Sequence, residues 1–305
     1  MDLTFINTNQ YSEHMTNASP LRSLTPAELL TAAAPRPDIL APLLAPESTA
    51  LVWGPPGVGK SFFALALAWA AASGGSFLGW TSPRPHRVMH VDGGLSAARL
   101  GERVALFGSL PQGLRLCPLE LASDPPDLST EDGLLALMEA WDEDPELVVL
   151  DAPVLRGNGE RDSLQRFVRF HRRQRRAVLL VHHANKRGTL SGPMGRALDA
   201  DLVIALRRAP GASSAGAAAN ARFTIHVEKA QRRAAALAPL LVELETDPAG
   251  RACWRWRPAE ESAADRVARL LHQGLGARGA MAALGLSKSA FYRHRAKAEQ
   301  RGLLP

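Results

Sequence analysis

Residues 54–61 read Gly-Pro-Pro-Gly-Val-Gly-Lys-Ser, a complete glycine-rich phosphate loop between the apolar run Thr49-Ala-Leu-Val-Trp53 and Ser61-Phe-Phe-Ala-Leu-Ala-Leu-Ala-Trp-Ala-Ala. A buried strand, a tight loop and an Ala/Leu-rich helix in that order turn backbone amides toward a phosphate chain, at the positive end of the helix. Gly54, Gly57 and Gly59 permit the turn, with Pro55, Pro56, Val58 and Phe62 completing the stretch around the nucleotide. Lys60 is placed to reach the β and γ phosphates and Ser61 to ligate Mg2+, so the motif implies ATP or a related nucleoside triphosphate. A strand feeding a helix through such a loop also commits the chain to an α/β architecture.

The rest of the chain follows that lead. Apolar runs predict strands at 49–53, 87–92, 115–117, 146–150, 177–182, 201–207 and 222–229, with helices at 60–73, 96–107, 130–142 and 162–175 between the earlier ones. This alternation specifies a mainly parallel sheet flanked by helices on both faces. Strands near 239–245 and 252–257 are expected to extend it in antiparallel fashion. The small-residue segment 209–220 reads as a mobile hairpin tip. Thr25-Pro-Ala-Glu-Leu-Leu starts a capped helix after a polar arm of residues 1–24. The expected domains are therefore that arm, an ATP-binding domain over 25–257, a linker at 258–262 and a small all-α domain over 263–305.

At 305 residues and 46% apolar composition the chain is long enough for one large core with an appendage. Residues 1–20 do not read as a signal peptide, and no run of about 18 uncharged apolar residues suggests a membrane span, so a cytoplasmic protein is expected. Cys117 and Cys253 have no paired spacing and are expected in the core. The net charge of +6 is concentrated: residues 262–305 carry eight Lys or Arg against Asp265 and Glu299, leaving the remainder balanced. A local positive field of this kind favours a polyanion such as DNA, the alternative being ordinary solvated charge.

Glu146-Leu-Val-Val-Leu-Asp151 ends an apolar strand on an acid, the pattern that delivers a carboxylate to the magnesium shell at a sheet's carboxyl edge, so Asp151 is the second candidate Mg2+ contact. Ala177-Val-Leu-Leu-Val-His-His-Ala-Asn-Lys-Arg-Gly ends a similar strand on His182 and His183, which makes His183 a candidate γ-phosphate sensor.

With these motifs, the strand Arg87-Val-Met-His-Val-Asp-Gly-Gly and the segment Val227-Glu-Lys-Ala-Gln-Arg-Arg, the chain over roughly residues 38–257 resembles the RecA-like ATPases, in particular the group containing RepA-type hexameric plasmid helicases and related ATPases of phage and plasmid genomes. The resemblance implies a RecA-like sheet and a homo-oligomer, ring or filament and most simply a hexamer, with nucleotide at subunit interfaces. It also implies DNA-facing loops at 152–161 and 184–196, with Arg156, Lys186 and Arg187 as contacts. Two departures stand out. The family's Asp-Gly-Glu is here Asp92-Gly93-Gly94, so glycine replaces the glutamate that polarises the attacking water. Loss of a positioned base costs on the order of 10²- to 10⁴-fold in rate, with Asp92 or Glu102 as possible substitutes. The family's trans-acting Lys-x-Arg is here Lys229-Ala-Gln-Arg232, its arginine one position late.

The basic tail reads as three short helices, with Gly285 at the second turn and Ser287 capping the third, over an underside of Leu286 and Phe291. It resembles the helix-turn-helix of Fis-type and resolvase-type families, with Met281 where a small Ala is usual, and implies DNA contacts from Lys288, Ser289, Tyr292, Arg293 and Arg295. Arg166, Arg169, Arg172, Arg173 and Arg176 form a further basic stripe, most simply a solvated face. The expected function is a RecA-like ATP- and DNA-binding protein of a mobile element, assembling on DNA for replication or recombination and hydrolysing ATP slowly. The rivals are an active hexameric helicase and a non-enzymatic, nucleotide-gated DNA-binding regulator.

Overall fold

The computed structural model describes residues 23–32, 36–128, 130–140, 143–151, 160–184, 200–209, 221–230, 237–260, 262–300 and 303–304. Residues up to Pro37 and the chain from Asp38 onward are separate units. In the first, helix α1 (Pro26–Ala32) begins where the sequence places its cap. Glu28 N donates to Thr25 Oγ1 at 3.3 Å, and Thr25 N donates to Glu28 Oε2 at 2.8 Å, which satisfies two otherwise orphaned amides.

The second unit runs β1 (Thr49–Gly54), α2 (Lys60–Ser73), the hairpin β2 (Ser76–Phe77) and β3 (Trp80–Thr81), β4 (Val88–Asp92), α3 (Ala97–Ala105), β5 (Leu114–Pro118), α4 (Glu131–Glu139), β6 (Leu147–Asp151), α5 (Glu160–Arg173), β7 (Ala177–His183), β8 (Leu202–Arg208), β9 (Arg222–Ala230), β10 (Leu240–Thr246) and β11 (Ala252–Pro258). Nine strands form one sheet in the order β11-β10-β9-β8-β1-β7-β6-β4-β5. The six from β8 to β5 are parallel. The last three add on antiparallel, as the sequence pattern predicts. Every residue of β1, β4 and β6 is buried, so each strand needs helices on both faces and reads as a continuous apolar run rather than an alternation.

Helix α2 is apolar nearly all round because it lies against the sheet on one side and under an aromatic cluster on the other. Phe63 packs at 5.5 Å from Phe77, 6.2 Å from Trp80 and 6.4 Å from Phe223, measured between ring centroids. The β2–β3 hairpin that supplies two of these rings was not visible in the sequence. Its strands are two residues long, too short for any alternation, and its turn places Leu78 at φ 52° and Gly79 at φ 83° without the Asn-Gly or Asp-Gly that marks such turns. Cys117 and Cys253, expected in the core, are only half-buried, on β5 and β11.

The basic stripe also needs correcting. Arg166, Arg169, Arg172 and Arg173 are exposed on α5, but Arg176 lies beyond the helix end, 4% exposed, with Nη2 donating to Asp144 Oδ1 at 2.6 Å. A second ion pair ties the base of β6. Glu146 accepts from Arg84 Nη1 and from Arg87 N, each at 3.2 Å. Partial burial works against the charged form, but these bonds prevail and hold the Glu146 carboxyl down at about 2. A depressed carboxyl contributes stability that is present above its unfolded value near 4.5 and is lost as pH falls from there toward 2. Glu146→Gln is expected to lower the Tm by about 2–4 °C at pH 7, after discounting for solvent screening. The gap from wild type should shrink toward pH 2 in thermal melts; a gap independent of pH would mean that the charge contributes nothing.

Three helices close the chain: α6 (Ala263–His272), α7 (Ala277–Leu284) and α8 (Lys288–Gln300). Ser262 and Asp265 make a capping box on α6, and Gly285 ends α7 at φ 62°, a left-handed position that suits glycine. Ser287 Oγ accepts from Ala290 N at 3.3 Å and caps α8. Val267, Ala280 and Phe291 form a small core, with Met281, Leu284 and Leu286 packed around it.

Candidate functional site

The register of the parallel strands gathers the candidate residues along one edge. Gly54 at the end of β1 pairs with His183 of β7, Asp151 of β6 pairs with Val181 of β7, and Asp92 of β4 pairs with Asp151. All four strands therefore deliver their carboxyl ends to the mouth of the glycine-rich loop, where ligands bind in open α/β sheets. Gly54 cannot be another residue without rearrangement, because a Cβ there would collide with Leu206 O of β8. Gly59 caps α2 at φ 111°, which orients the first free amides of the helix into the loop.

Lys60 is 5% exposed, and its Nζ donates to Gly54 O and Pro55 O, each at 2.9 Å. Burial lowers its amine to about 8, opposed by the negative charge of Asp151. Asp151, 2% exposed, is raised to about 6 by burial; a hydrogen bond with Ser61 acts the other way and the neighbouring Asp92 adds to the rise. Ser61 thus acts on Asp151 as a hydroxyl beside a carboxylate. Such an oxygen-only pair suits a hard cation such as Mg2+, and the left-handed glycines with the N-terminus of α2 suit phosphate.

Asp92 is 1% exposed; its Oδ1 accepts from Gly94 N at 2.9 Å and from Leu95 N at 2.8 Å. One oxygen of this carboxylate thus caps its own strand end while Oδ2 has no partner, and Glu102, the other possible base, is exposed on α3. His183 is exposed and level with Gly54, its imidazole pKa lowered by partial burial, then by Lys60 and by His182. Lys229 lies elsewhere. It pairs with Val203 of β8, which pairs with Leu51 in the body of β1, below the loop edge. Arg156, Lys186, Arg187 and Arg232 lie outside the described residues. Lys288, Ser289, Tyr292, Arg293 and Arg295 are exposed on α8, with Arg295 Nε donating to Glu299 Oε1 at 2.8 Å.

Two residues near the site had no signal in the sequence. Arg103 on α3 places its guanidinium 4.4 Å above the Phe62 ring, where burial lowers its pKa against the pull of Asp151 and Asp92. His90, two residues before Asp92, is buried beside both aspartates. Each is one residue in an ordinary helix or strand pattern, and only the strand order brings it to the loop.

A family model described as AAA domain matches residues 16–189. The chain belongs to the AAA domain family. The matched segment carries the glycine-rich loop, Asp92, Asp151 and His183, and ends before β8. No curated protein matches the sequence. Among solved structures, a KaiC-like protein from the hyperthermophilic archaeon Pyrococcus horikoshii OT3 is similar at TM-score 0.51 and 16% identity, over 72% of this chain and 94% of that one. At that identity the likeness concerns the fold. This AAA domain therefore has a RecA-like P-loop ATPase fold, the class that binds nucleotides, and among the described residues no helix is long and apolar enough to cross a membrane.

Proposed function

We propose that this AAA domain protein binds ATP with Mg2+ in the cytoplasm, assembles on DNA in an ATP-dependent way, and turns ATP over slowly. The observation that carries the reading is the convergence of Lys60, Ser61 and Asp151 at the loop edge while Gly94 supplies no side chain and Asp92 is held by its own backbone. In this reading the amides of residues 54–62 hold the phosphate chain, Lys60 leaves the loop carbonyls for the β and γ phosphates, and Ser61 with Asp151 holds the metal. Mg2+ bound there would neutralise phosphate charge as it develops. His183, level with Gly54, would respond to the γ phosphate. Lys229, away from its own loop edge, would act on a neighbouring subunit's nucleotide together with Arg232, in a ring or filament for which a hexamer is the simplest size.

The three C-terminal helices supply the DNA contact in this reading, in the manner of a helix-turn-helix. Lys288, Arg293 and Arg295 would meet phosphates, and Ser289 and Tyr292 base edges or sugars. Arg156, Lys186 and Arg187 would face the same DNA from the loops. A role in replication or recombination of a plasmid, phage or other mobile element, akin to the RepA-type group, follows from the same resemblance. A nucleotide-gated regulator without turnover is the second reading, favoured by the engagement of Asp92.

The test combines DNA-binding anisotropy with size measurement, in ATP, ADP or neither. ATP should raise oligomer size and DNA affinity together. Arg293→Ala combined with Arg295→Ala is expected to weaken duplex binding about 10- to 100-fold while nucleotide affinity is unchanged. Unaltered DNA affinity in that double variant would remove the C-terminal helices from the mechanism, and ATP-driven strand separation would favour the helicase instead.

A further inference from the structure

We propose that His90, Asp92 and Asp151 form a site for one divalent transition-metal ion of the Mn2+ or Co2+ kind, distinct in its ligand set from the Ser61–Asp151 position assigned to Mg2+. His90 and Asp92 are two residues apart on β4 and so project to one face, and Asp92 is paired across to Asp151 on β6. A ring nitrogen of His90 and one oxygen from each carboxylate all lie within 4.8 Å of one another. The three residues are 1%, 1% and 2% exposed. His90 Nδ1, Asp92 Oδ2 and Asp151 Oδ2 are each buried without a hydrogen-bond partner.

Buried polar atoms are nearly always satisfied, and two carboxylates side by side in a strand pair are costly unless a cation or a proton offsets them. Lys60 and Arg103 attract these carboxylates without donating a hydrogen bond to them: Lys60 Nζ bonds to loop carbonyls, and Arg103 lies over the Phe62 ring with its Nη1 unpartnered. Asp92 is held as a ligating carboxylate commonly is, one oxygen fixed by two backbone amides and the other without a partner. A nitrogen among the donors selects against Mg2+, which prefers oxygen alone, and toward Mn2+, Co2+ and similar ions. All three ligands come from β4 and β6, so the site requires no nucleotide.

The experiment is titration of the full chain, free of nucleotide, with Mn2+ followed by electron paramagnetic resonance. One Mn2+ per chain is expected to bind, with coupling to a ligand nitrogen in the spin-echo modulation of the wild-type complex. His90→Gln should weaken binding at least about tenfold. Binding that appears only with ATP would place the ion at the Mg2+ position and overturn the proposal, as would the lack of a nitrogen coupling in wild type, whatever the folding of the variants. A chain that takes up Mn2+ in this way but binds no ATP would uphold this site and refute the nucleotide reading, so the two fail separately.

Discussion

Lys60→Ala is expected to reduce ATP affinity by about 10²-fold or more while leaving the fold intact. Hydrogen bonds from a charged amine to phosphate contribute about 1.5–3 kcal/mol each, and about 2.7 kcal/mol is a hundredfold in affinity. For folding, by contrast, the Lys60 charge is a cost. Lys60 is buried, and its amine is lowered to about 8 from an unfolded value near 10.5. Below about pH 8 the folded chain must hold a charge that burial disfavours, and this cost is relieved as pH rises from about 8 to about 10.5. The alanine variant should thus melt at the wild-type temperature or above it at pH 7, with any difference narrowing toward pH 10.5. Fluorescent-nucleotide binding and thermal melts on the same samples separate the two effects. Unchanged nucleotide affinity would refute the loop assignment; a variant that unfolds would make Lys60, through its bonds to Gly54 O and Pro55 O, a structural residue first.

Gly94→Glu is expected to raise ATP turnover on the order of 10²-fold. In the proposed reading neither nearby carboxylate does this work. Asp92 is buried with one oxygen on the amides of Gly94 and Leu95, and Glu102 is exposed on α3. Gly94 itself is exposed, at the edge shared with Asp151 and Gly54, so a carboxylate introduced there starts from the strand end that the glutamate occupies in the RecA-like relatives the sequence resembles. Steady-state phosphate release with and without DNA, at a checked oligomer size, decides the matter. A nearly silent wild type and an active glutamate variant mark a nucleotide-held switch whose missing base sets its lifetime on DNA. Wild-type turnover near one per second, stimulated by DNA, would mean that another carboxylate supplies the base and would restore the motor reading.

Much of this was legible from local patterns. The glycine-rich octet fixes its own strand, loop and helix, because Gly59 must adopt φ 111° and Gly54 must lie against β8. The apolar runs gave the strands, since strands buried on both faces have nearly uninterrupted apolar sequence, and the runs after residue 238 gave the antiparallel extension. Gly285 and Ser287 marked the last helical turn by their capping chemistry. The β2–β3 hairpin escaped because two-residue strands carry no period and its turn has Leu78 before Gly79 where Asn or Asp is usual. Arg176 was misread because a helical stripe extrapolated past the end of α5 puts an inward-turning arginine on the surface.

By itself, the sequence determined the strands and helices other than the β2–β3 hairpin, where the phosphate loop lies, and that glycine stands at position 94. Tertiary structure alone decided what meets at the loop. Strand order sets β4 beside β6, so Asp92 and Asp151, 59 positions apart, become cross-strand partners with His90 beside them, and α3 brings Arg103 over Phe62. The same order leaves Lys229 below its own site. Periodicity records which face of an element is buried, but the pairing of one buried strand with another depends on the packing of the whole sheet, which no local pattern contains.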